Sequence, residues 1–224
     1  ADEGSLTIAT THTQARYALP RVISEFKQRF PKVRLSILQG SPTQIAEMVR
    51  HDQADLAIAT ETIAGYPDLV SLPGYQWQHF VITPPGHPLL ERKALTLEDL
   101  AGYPLITYDA AFSGRSRIDQ AFALRQLKPD VVLEAIDADV IKTYVEIGLG
   151  VGIVGGMAFD PQRDVNLRAV PAGHLFGTNL TRLALKQGAY LRAYVYTFIE
   201  LFSPLLTHKL IDQALAGEQE SYEL

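Results

Sequence analysis

Hydrophobic residues in the first sixty positions follow two spacings, one typical of strands and one typical of helices. Short apolar runs predict three strands, at residues 6–9, 33–38 and 56–59. Between the first two runs, apolar residues recur at steps of three and four from Leu19 to Phe30, which predicts an amphipathic helix ended by Pro31. Ser41-Pro42 followed by Gln44 has the spacing of a capping box and predicts a second helix. This alternation predicts parallel strand pairing.

The pattern changes after position 60 and then resumes. Two runs, residues 69–72 and 80–83, predict strands separated by the breaker Pro73-Gly74. A second strand–helix series follows, with strands predicted at 105–108, 131–135 and 151–154 and helices near 116–124 and 138–147. Strands near 167–170 and 180–185 and helices at 190–202 and 204–214 complete the chain. Two such series in one chain predict an α/β protein with two similar lobes.

Charge and composition argue against several classes of function. The 224 residues carry a formal net charge of -5 and no run of Lys and Arg, which argues against a nucleic-acid or anionic-membrane surface in this chain. There is no cysteine, so disulfides, thiolate metal sites and thiol nucleophiles are excluded. No apolar segment has the length of a membrane span, and we expect no membrane partner. The start at Ala1 predicts either a mature exported protein or an excised domain.

Familiar catalytic motifs are missing or out of context. Gly150, Gly152 and Gly155 match G-x-G-x-x-G, but a helix precedes the match and a strand runs through it, which predicts a tight turn into a buried strand. The nucleophile elbow, the P-loop and the zinc motif H-E-x-x-H are absent, and the six histidines have no metal-ligand spacing. Asp137 and Asp139 stand where a helix is predicted to begin, which favours capping over acid catalysis. We therefore expect no catalytic residue and no metal.

One polar cluster stands out. Thr10-Thr11-His12-Thr13-Gln14 follows the first predicted strand, Thr60 ends the third, and Ser113 lies in a strand-to-helix turn of the second series. Ligands of open α/β sheets bind outside the carboxyl ends of the strands, and helix N-termini there attract anions. Neutral hydroxyl and amide donors can hold and release a small oxyanion without transforming it. The alternative is that Thr13 and Ser113 only cap helices.

Four segments of the sequence resemble the effector-binding (inducer-binding) domain of CysB-like LysR-type transcriptional regulators. They are Thr10-Thr11-His12-Thr13-Gln14-Ala15-Arg16-Tyr17-Ala18-Leu19-Pro20, Gln39-Gly40-Ser41-Pro42-Thr43-Gln44-Ile45-Ala46-Glu47, Ala57-Ile58-Ala59-Thr60-Glu61 and Asp137-Ala138-Asp139-Val140-Ile141-Lys142-Thr143-Tyr144-Val145. The resemblance covers nearly the whole chain and weakens in the tail.

The resemblance implies a fold of two Rossmann-like lobes joined by two crossover strands, as in type 2 periplasmic binding proteins. Lobe I would comprise residues 1–75 and 178–224, and lobe II residues 76–177. The N-terminal winged helix-turn-helix DNA-binding domain of the family would be absent from this chain.

The resemblance also implies a ligand and the residues that bind it. The effector would occupy the interlobe cleft and would be N-acetylserine, O-acetylserine, sulfate or thiosulfate, with no other cofactor. Carried over by position, the ligand residues are Thr11, Thr13, Gln14, Thr60 and Ser113. The family pattern has threonine at the last of these positions, so Ser113 keeps the hydroxyl and loses the methyl group.

The implied function is ligand sensing in a cytoplasmic transcriptional regulator of cysteine biosynthesis and sulfur assimilation. This domain would form a homodimer and the full-length protein a tetramer, with DNA bound only through the missing N-terminal domain and RNA polymerase as a further candidate partner. Two alternatives stay open from the residues: a periplasmic sulfate or small-anion binding protein, and an enzyme acting on a small anionic metabolite. The coding sequence upstream of Ala1 separates the first two, because one requires a helix-turn-helix and the other a signal peptide.

Overall fold

The chain divides into two units, each with its own sheet and hydrophobic core. The computed structural model describes residues 3–60 and 65–217. The first unit comprises the described parts of Ala1–Tyr75 and Leu180–Leu224, and the second comprises Gln76–Asn179. The first unit is therefore built from two separate stretches of sequence.

Strands and helices alternate along most of the described chain. The strands are β1 (Gly4–Thr10), β2 (Val33–Gln39), β3 (Leu56–Ala59), β4 (Leu69–Thr83), β5 (Pro104–Tyr108), β6 (Asp130–Ala135), β7 (Val151–Gly155), β8 (Arg168–Pro171) and β9 (Thr178–Lys186). The α-helices are α1 (Leu19–Arg29), α2 (Pro42–Arg50), α3 (Leu97–Ala101), α4 (Arg115–Leu124), α5 (Ala138–Glu146), α6 (Gly173–Phe176), α7 (Ala193–Phe202) and α8 (His208–Leu215). A π-helical turn precedes α1 at Gln14–Ala18, and 3-10 turns lie at Pro88–Glu91 and Gly156–Ala158.

In the first unit, β1 pairs in parallel with β2 and β3, and β9 pairs antiparallel with β3. The predicted parallel pairing of the first three strands is confirmed. Helices α1, α7 and α8 contribute to the main core with the inward residues of these strands. Its fully buried large side chains include Leu6, Ile8, Leu19, Phe26, Leu56, Ile58 and Phe198. Burial of these apolar surfaces is the principal force that holds the unit together.

The beginning of α2 shows how local sequence sets an element boundary. Ser41 Oγ accepts a hydrogen bond from the Gln44 backbone N–H at 3.2 Å, and Gln44 Oε1 accepts one from the Ser41 backbone N–H at 2.8 Å. Pro42 occupies the first helical position, where no intrahelical donor is needed. The predicted capping box is confirmed.

In the second unit, β5 pairs in parallel with β6 and β7, and β4 pairs antiparallel with β7 and β8. Glycines in β7 and directly before it allow close packing. A Cβ at Gly152 would lie 2.6 Å from Ile82 Cγ1, and a Cβ at Gly150 would lie 2.6 Å from the Pro104 carbonyl oxygen. The interpretation of the G-x-G-x-x-G match as a turn into a buried strand is confirmed.

Three sequence-based boundaries are wrong. Residues 69–83 form one strand, because Pro73-Gly74 does not interrupt β4. The glycine is needed there for a close approach, since a Cβ at Gly74 would lie 2.6 Å from the Thr181 carbonyl oxygen. Helix α7 begins at Ala193 rather than near 190, and α8 begins at His208, where the Thr207 hydroxyl accepts from the Leu210 N–H.

Two short helices, α3 and α6, were not predicted. The first has a local signal, a capping box between Thr96 and Asp99.

Among the described residues, no helix has both the length and the hydropathy needed to cross a membrane.

Candidate functional site

The first strand ends at Thr10, whose hydroxyl is used inside the fold. Thr10 is fully buried, and its Oγ1 donates to the carbonyl oxygen of Ile58 at 2.9 Å. This bond ties the end of β1 to β3. Among the polar residues that follow β1, Thr11 is therefore the first candidate for contact with a ligand.

The chain enters a π-helical turn directly after this point. Thr13 is the residue that precedes the turn, and its side chain makes no capping hydrogen bond. The backbone carbonyl oxygen of Thr11 accepts a hydrogen bond from the Ala15 N–H at 3.1 Å. Single π-helical turns are frequent at functional sites. The alternative that Thr13 serves as a helix cap is wrong, because its hydroxyl is not used for that purpose.

Gln14 is the first residue of the turn and is buried, with 1% of its surface exposed. Its Oε1 accepts from the Tyr75 hydroxyl at 2.5 Å, and its Nε2 donates to Thr60 Oγ1 at 3.4 Å. The structure therefore brings Gln14 and Thr60 together, as their positions after neighbouring strands predicted.

A second hydroxyl pair extends this network. Thr60 Oγ1 lies 3.5 Å from Thr181 Oγ1. Burial of the Tyr75 phenol raises its pKa above the ordinary value, so the group keeps its proton. Tyr75, Gln14, Thr60 and Thr181 form one chain of hydrogen-bonded side chains, which we call the Gln14 network.

Sequence reasoning missed Tyr75 and Thr181. Both residues lie within long strands, Tyr75 in β4 and Thr181 in β9, and not at the strand ends where ligand groups were sought. No local motif marks either residue. Their part in the network depends on contacts 61 and 121 residues away along the chain.

Ser113 belongs to the second unit and lies in a left-handed turn. Its φ is 44°, and that of Gly114 is 73°. The residue that precedes α4 is Gly114, which has no side chain with which to cap the helix. The capping alternative for Ser113 is therefore wrong. Ser113 is buried.

Two buried polar side chains, His79 and Asn179, lie against the left-handed turn. His79 Nε2 lies 2.8 Å from the Ser113 carbonyl oxygen, so the ring nitrogen is the donor. A Cβ at Gly114 would lie 2.7 Å from Asn179 Oδ1 and 2.9 Å from His79 Cε1. These distances leave room only for glycine.

The environment of His79 keeps its imidazole neutral. The pKa of His79 is lowered to about 4, mainly because the ring is buried; the hydrogen bond to the Ser113 carbonyl opposes this shift and the charge of Arg117 adds to it. The rings of Trp77 and Phe176 pack edge-on against it at 4.8 and 5.8 Å. With Nε2 protonated, Nδ1 is an acceptor, and it has no hydrogen-bond partner among the described residues.

Two aspartates lie at the beginning of α5, where a negative charge is favourable. Asp137 Oδ1 accepts from the Val140 N–H at 2.9 Å, which makes it the cap of the helix. Asp139 lies in the first turn, where its charge complements the helix dipole. The capping interpretation is confirmed for Asp137.

The predicted site residues thus fall into two groups. Thr11, Thr13, Gln14 and Thr60 lie in the first unit, where Gln14 and Thr60 are in contact. Ser113 lies in the second unit with its own neighbours. All five offer hydroxyl or amide groups, which suit an oxyanion and provide neither a base nor a strong nucleophile. Their assignment as ligand residues stays a prediction.

Comparison with known proteins identifies the relatives of this chain. Residues 1–206 match the family model described as the LysR substrate binding domain. The chain is 72% identical over 223 residues to the HTH-type transcriptional regulator CysB of Burkholderia cenocepacia, covering 100% of this chain and 71% of that protein. It is 58% identical to the HTH-type transcriptional regulator SsuR of the same species, covering 92% of this chain and 67% of the relative.

A solved structure matches the same region. The cofactor-binding domain of the Cbl transcriptional regulator superposes with a TM-score of 0.92 at 46% identity, over 95% of this chain and 93% of that chain. The expected fold class, an α/β protein of the type 2 periplasmic-binding-protein kind, is confirmed. The chain spans about two thirds of the length of the two regulators named above.

Proposed function

This chain belongs to the LysR substrate-binding domain family, and on that premise we propose that it is the ligand-sensing domain of a regulator of cysteine biosynthesis and sulfur assimilation. Its effector would be a small anion or an acetylserine. The relatives that support this proposal are named as transcriptional regulators, among them CysB. We propose that the two units correspond to the two lobes of such a domain.

The observation that carries the proposal is the donor set after β1. The hydroxyl of Thr13 is not used as a helix cap, and Gln14 directs an NH2 group toward Thr60. The first N–H groups of a helix lack intrahelical acceptors and favour a negative charge. Each hydrogen bond to a charged group contributes roughly 1.5–3 kcal/mol. Four or five such bonds give roughly micromolar to millimolar binding after the cost of association.

Calorimetry with purified chain tests the proposal. The ligands are sulfate, thiosulfate, O-acetylserine and N-acetylserine, and we expect at least one to bind. Thr11→Ala and Gln14→Ala should each weaken binding about tenfold, the effect of losing one charge-assisted hydrogen bond. Lys93→Ala is the matched control, because that side chain is exposed in the second unit. Equal affinities in all three variants would contradict the proposed site.

Ser113 stays a predicted fifth ligand residue. Ser113→Ala removes the hydroxyl and leaves the carbonyl that His79 holds, so a loss of affinity would come from the side chain alone. If the variant binds all four ligands as the wild type does, Ser113 is not a ligand residue.

The remaining parts of the proposal concern the full-length protein. We propose that it acts in the cytoplasm as a homo-oligomer and binds DNA through an N-terminal domain outside this chain. RNA polymerase is a further proposed partner. Effector binding changes its activity if the ligand has different affinities for two conformations. We expect the chain alone to show neither specific DNA binding in a gel-shift assay nor turnover of acetylserine.

A further inference from the structure

We infer that Tyr75 is a positioning residue, which orients the Gln14 amide so that its NH2 group, and not its oxygen, is offered to the ligand. This inference rests on the proposed function and deepens it. It assigns a specificity-determining role to a residue outside the predicted ligand set. The consequence is a preference for ligands that present only hydrogen-bond acceptors to Gln14.

Amide orientation decides what a buried glutamine can bind. The two ends of the group are similar in size, but one accepts two hydrogen bonds and the other donates two. Gln14 is almost fully buried, so its ends are not averaged by contact with water. A neighbour that distinguishes the two ends therefore determines which one faces the ligand.

The distances in the Gln14 network show which end faces Tyr75. The atom of Gln14 nearest the Tyr75 hydroxyl is 2.5 Å away. Hydrogen bonds between two oxygens reach about 2.5 Å, whereas those between nitrogen and oxygen begin near 2.7 Å. The amide oxygen therefore faces Tyr75. The nitrogen lies on the other side, 3.4 Å from Thr60 Oγ1.

Tyr75 remains a donor under physiological conditions. Burial raises the pKa of the phenol, so its proton is retained. The ring packs edge-on against Phe202 with a centroid distance of 5.7 Å, which fixes where the hydroxyl lies. One hydrogen of the Gln14 NH2 group points toward Thr60, and the second has no acceptor among the described residues.

The proposed ligands differ in the hydrogen-bond donors that they carry, so the Gln14 NH2 group favours some of them over others. Sulfate and thiosulfate present only acceptors, which the NH2 group matches. O-Acetylserine carries an ammonium group, which would need an acceptor. With the Gln14 oxygen occupied by Tyr75, the site disfavours that group at this position, because an unpaired buried donor is costly.

Tyr75→Phe tests the inference by calorimetry with sulfate and O-acetylserine as probes. The substitution keeps the ring and removes the donor, so the amide can rotate. We expect sulfate affinity to fall about tenfold and O-acetylserine affinity to change less, which shifts the ratio of the two. Tyr194→Phe is the matched control, because it also removes a phenol that donates to a carbonyl, that of Ser5 at 3.1 Å, within the same unit.

A double-mutant cycle separates positioning from a general structural effect. If Tyr75 acts through Gln14, Tyr75→Phe causes no further loss of sulfate affinity in a Gln14→Ala background. Equal losses in both backgrounds would overturn the inference, and so would wild-type sulfate affinity in Tyr75→Phe. A wild-type chain that binds neither probe would overturn the inference, and one that binds none of the four proposed ligands would contradict the proposed function as well.

A measurement on the wild-type chain avoids any folding defect of the variants. The side-chain amide signal of Gln14 in a nitrogen-15 spectrum is assigned by its loss in Gln14→Ala. We expect both NH2 protons to shift on addition of sulfate. Protons that do not respond, while sulfate binds, would show that the NH2 group does not face the ligand.

Discussion

The imidazole of His79 donates from Nε2 to the carbonyl oxygen of Ser113 across 2.8 Å, inside the second unit. This bond holds the left-handed turn at Ser113 and Gly114 in place. It also requires the neutral ring to keep its proton on Nε2. The stability of the second unit should consequently depend on the protonation of one buried histidine.

We predict a loss of stability in mild acid that depends on His79. The pKa of His79 is about 4 in the folded chain and near 6.5 in an unfolded one. Above pH 6.5 both states are neutral and the contribution to stability is complete. Between pH 6.5 and 4 the unfolded state takes up the proton first, which removes up to about 3 kcal/mol. Urea unfolding across this range measures the effect.

The control for that prediction is His79→Gln, which retains an N–H donor and cannot titrate. We expect the difference in unfolding free energy between wild type and variant to shrink as the pH falls from 6.5 to 4. Carboxylates affect both proteins alike, so the difference isolates the histidine. Parallel pH profiles would contradict the shifted pKa.

A second prediction concerns the glycine of the same turn. Gly114 and Gly188 share a φ of 73°, but a Cβ at Gly114 would meet Asn179 and His79, whereas nothing lies within 4 Å at Gly188. Gly188→Ala should cost about 1–2 kcal/mol, the strain of the left-handed backbone. Gly114→Ala adds steric overlap and should cost more, about 1–3 kcal/mol beyond that. Thermal unfolding of the two alanine variants measures the difference. Equal destabilisation would show that the turn at Gly114 shifts to accommodate the methyl group.

Helix capping yields a third prediction. Asp137 Oδ1 accepts from the Val140 N–H at the beginning of α5. Asp137→Ala should lower the unfolding free energy by about 1 kcal/mol, while Asp137→Asn, which also caps well, should retain most of it. Denaturant titration of both variants measures the difference. If both variants lose the same amount, the negative charge matters and the hydrogen bond does not.

Close packing at Gly74 provides a fourth prediction. A Cβ there would lie 2.6 Å from the Thr181 carbonyl oxygen and 2.8 Å from Phe202 Cε1. Gly74→Ala should destabilise the chain by about 1–3 kcal/mol, because backbone must shift to admit the methyl group. Gly65→Ala, where nothing lies within 4 Å, is the control for the change of residue type. A Gly74→Ala variant as stable as the control would refute the packing argument.

Elements specified by neighbouring residues could be predicted from the sequence. The strand at Leu56–Ala59 and the capping box at Ser41 were both predicted correctly. Apolar spacing and cap residues act over a few positions along the chain, so their effect can be predicted without knowledge of the tertiary structure. Thr11, Thr13 and Gln14 could be proposed as candidate ligand residues for the same reason, because they directly follow the end of a strand, and that assignment stays a prediction.

Tertiary structure alone decided how those groups are used. Tyr75 and Thr181 complete the Gln14 network from strands far away in sequence, and β4 runs through Pro73-Gly74 despite two residues that locally favour a break. His79 contacts Ser113, which lies 34 positions further along the chain. Such contacts depend on which strands pack together, and no spacing along the chain encodes that. The sequence by itself therefore determined which donors are present, and packing determined which way they point.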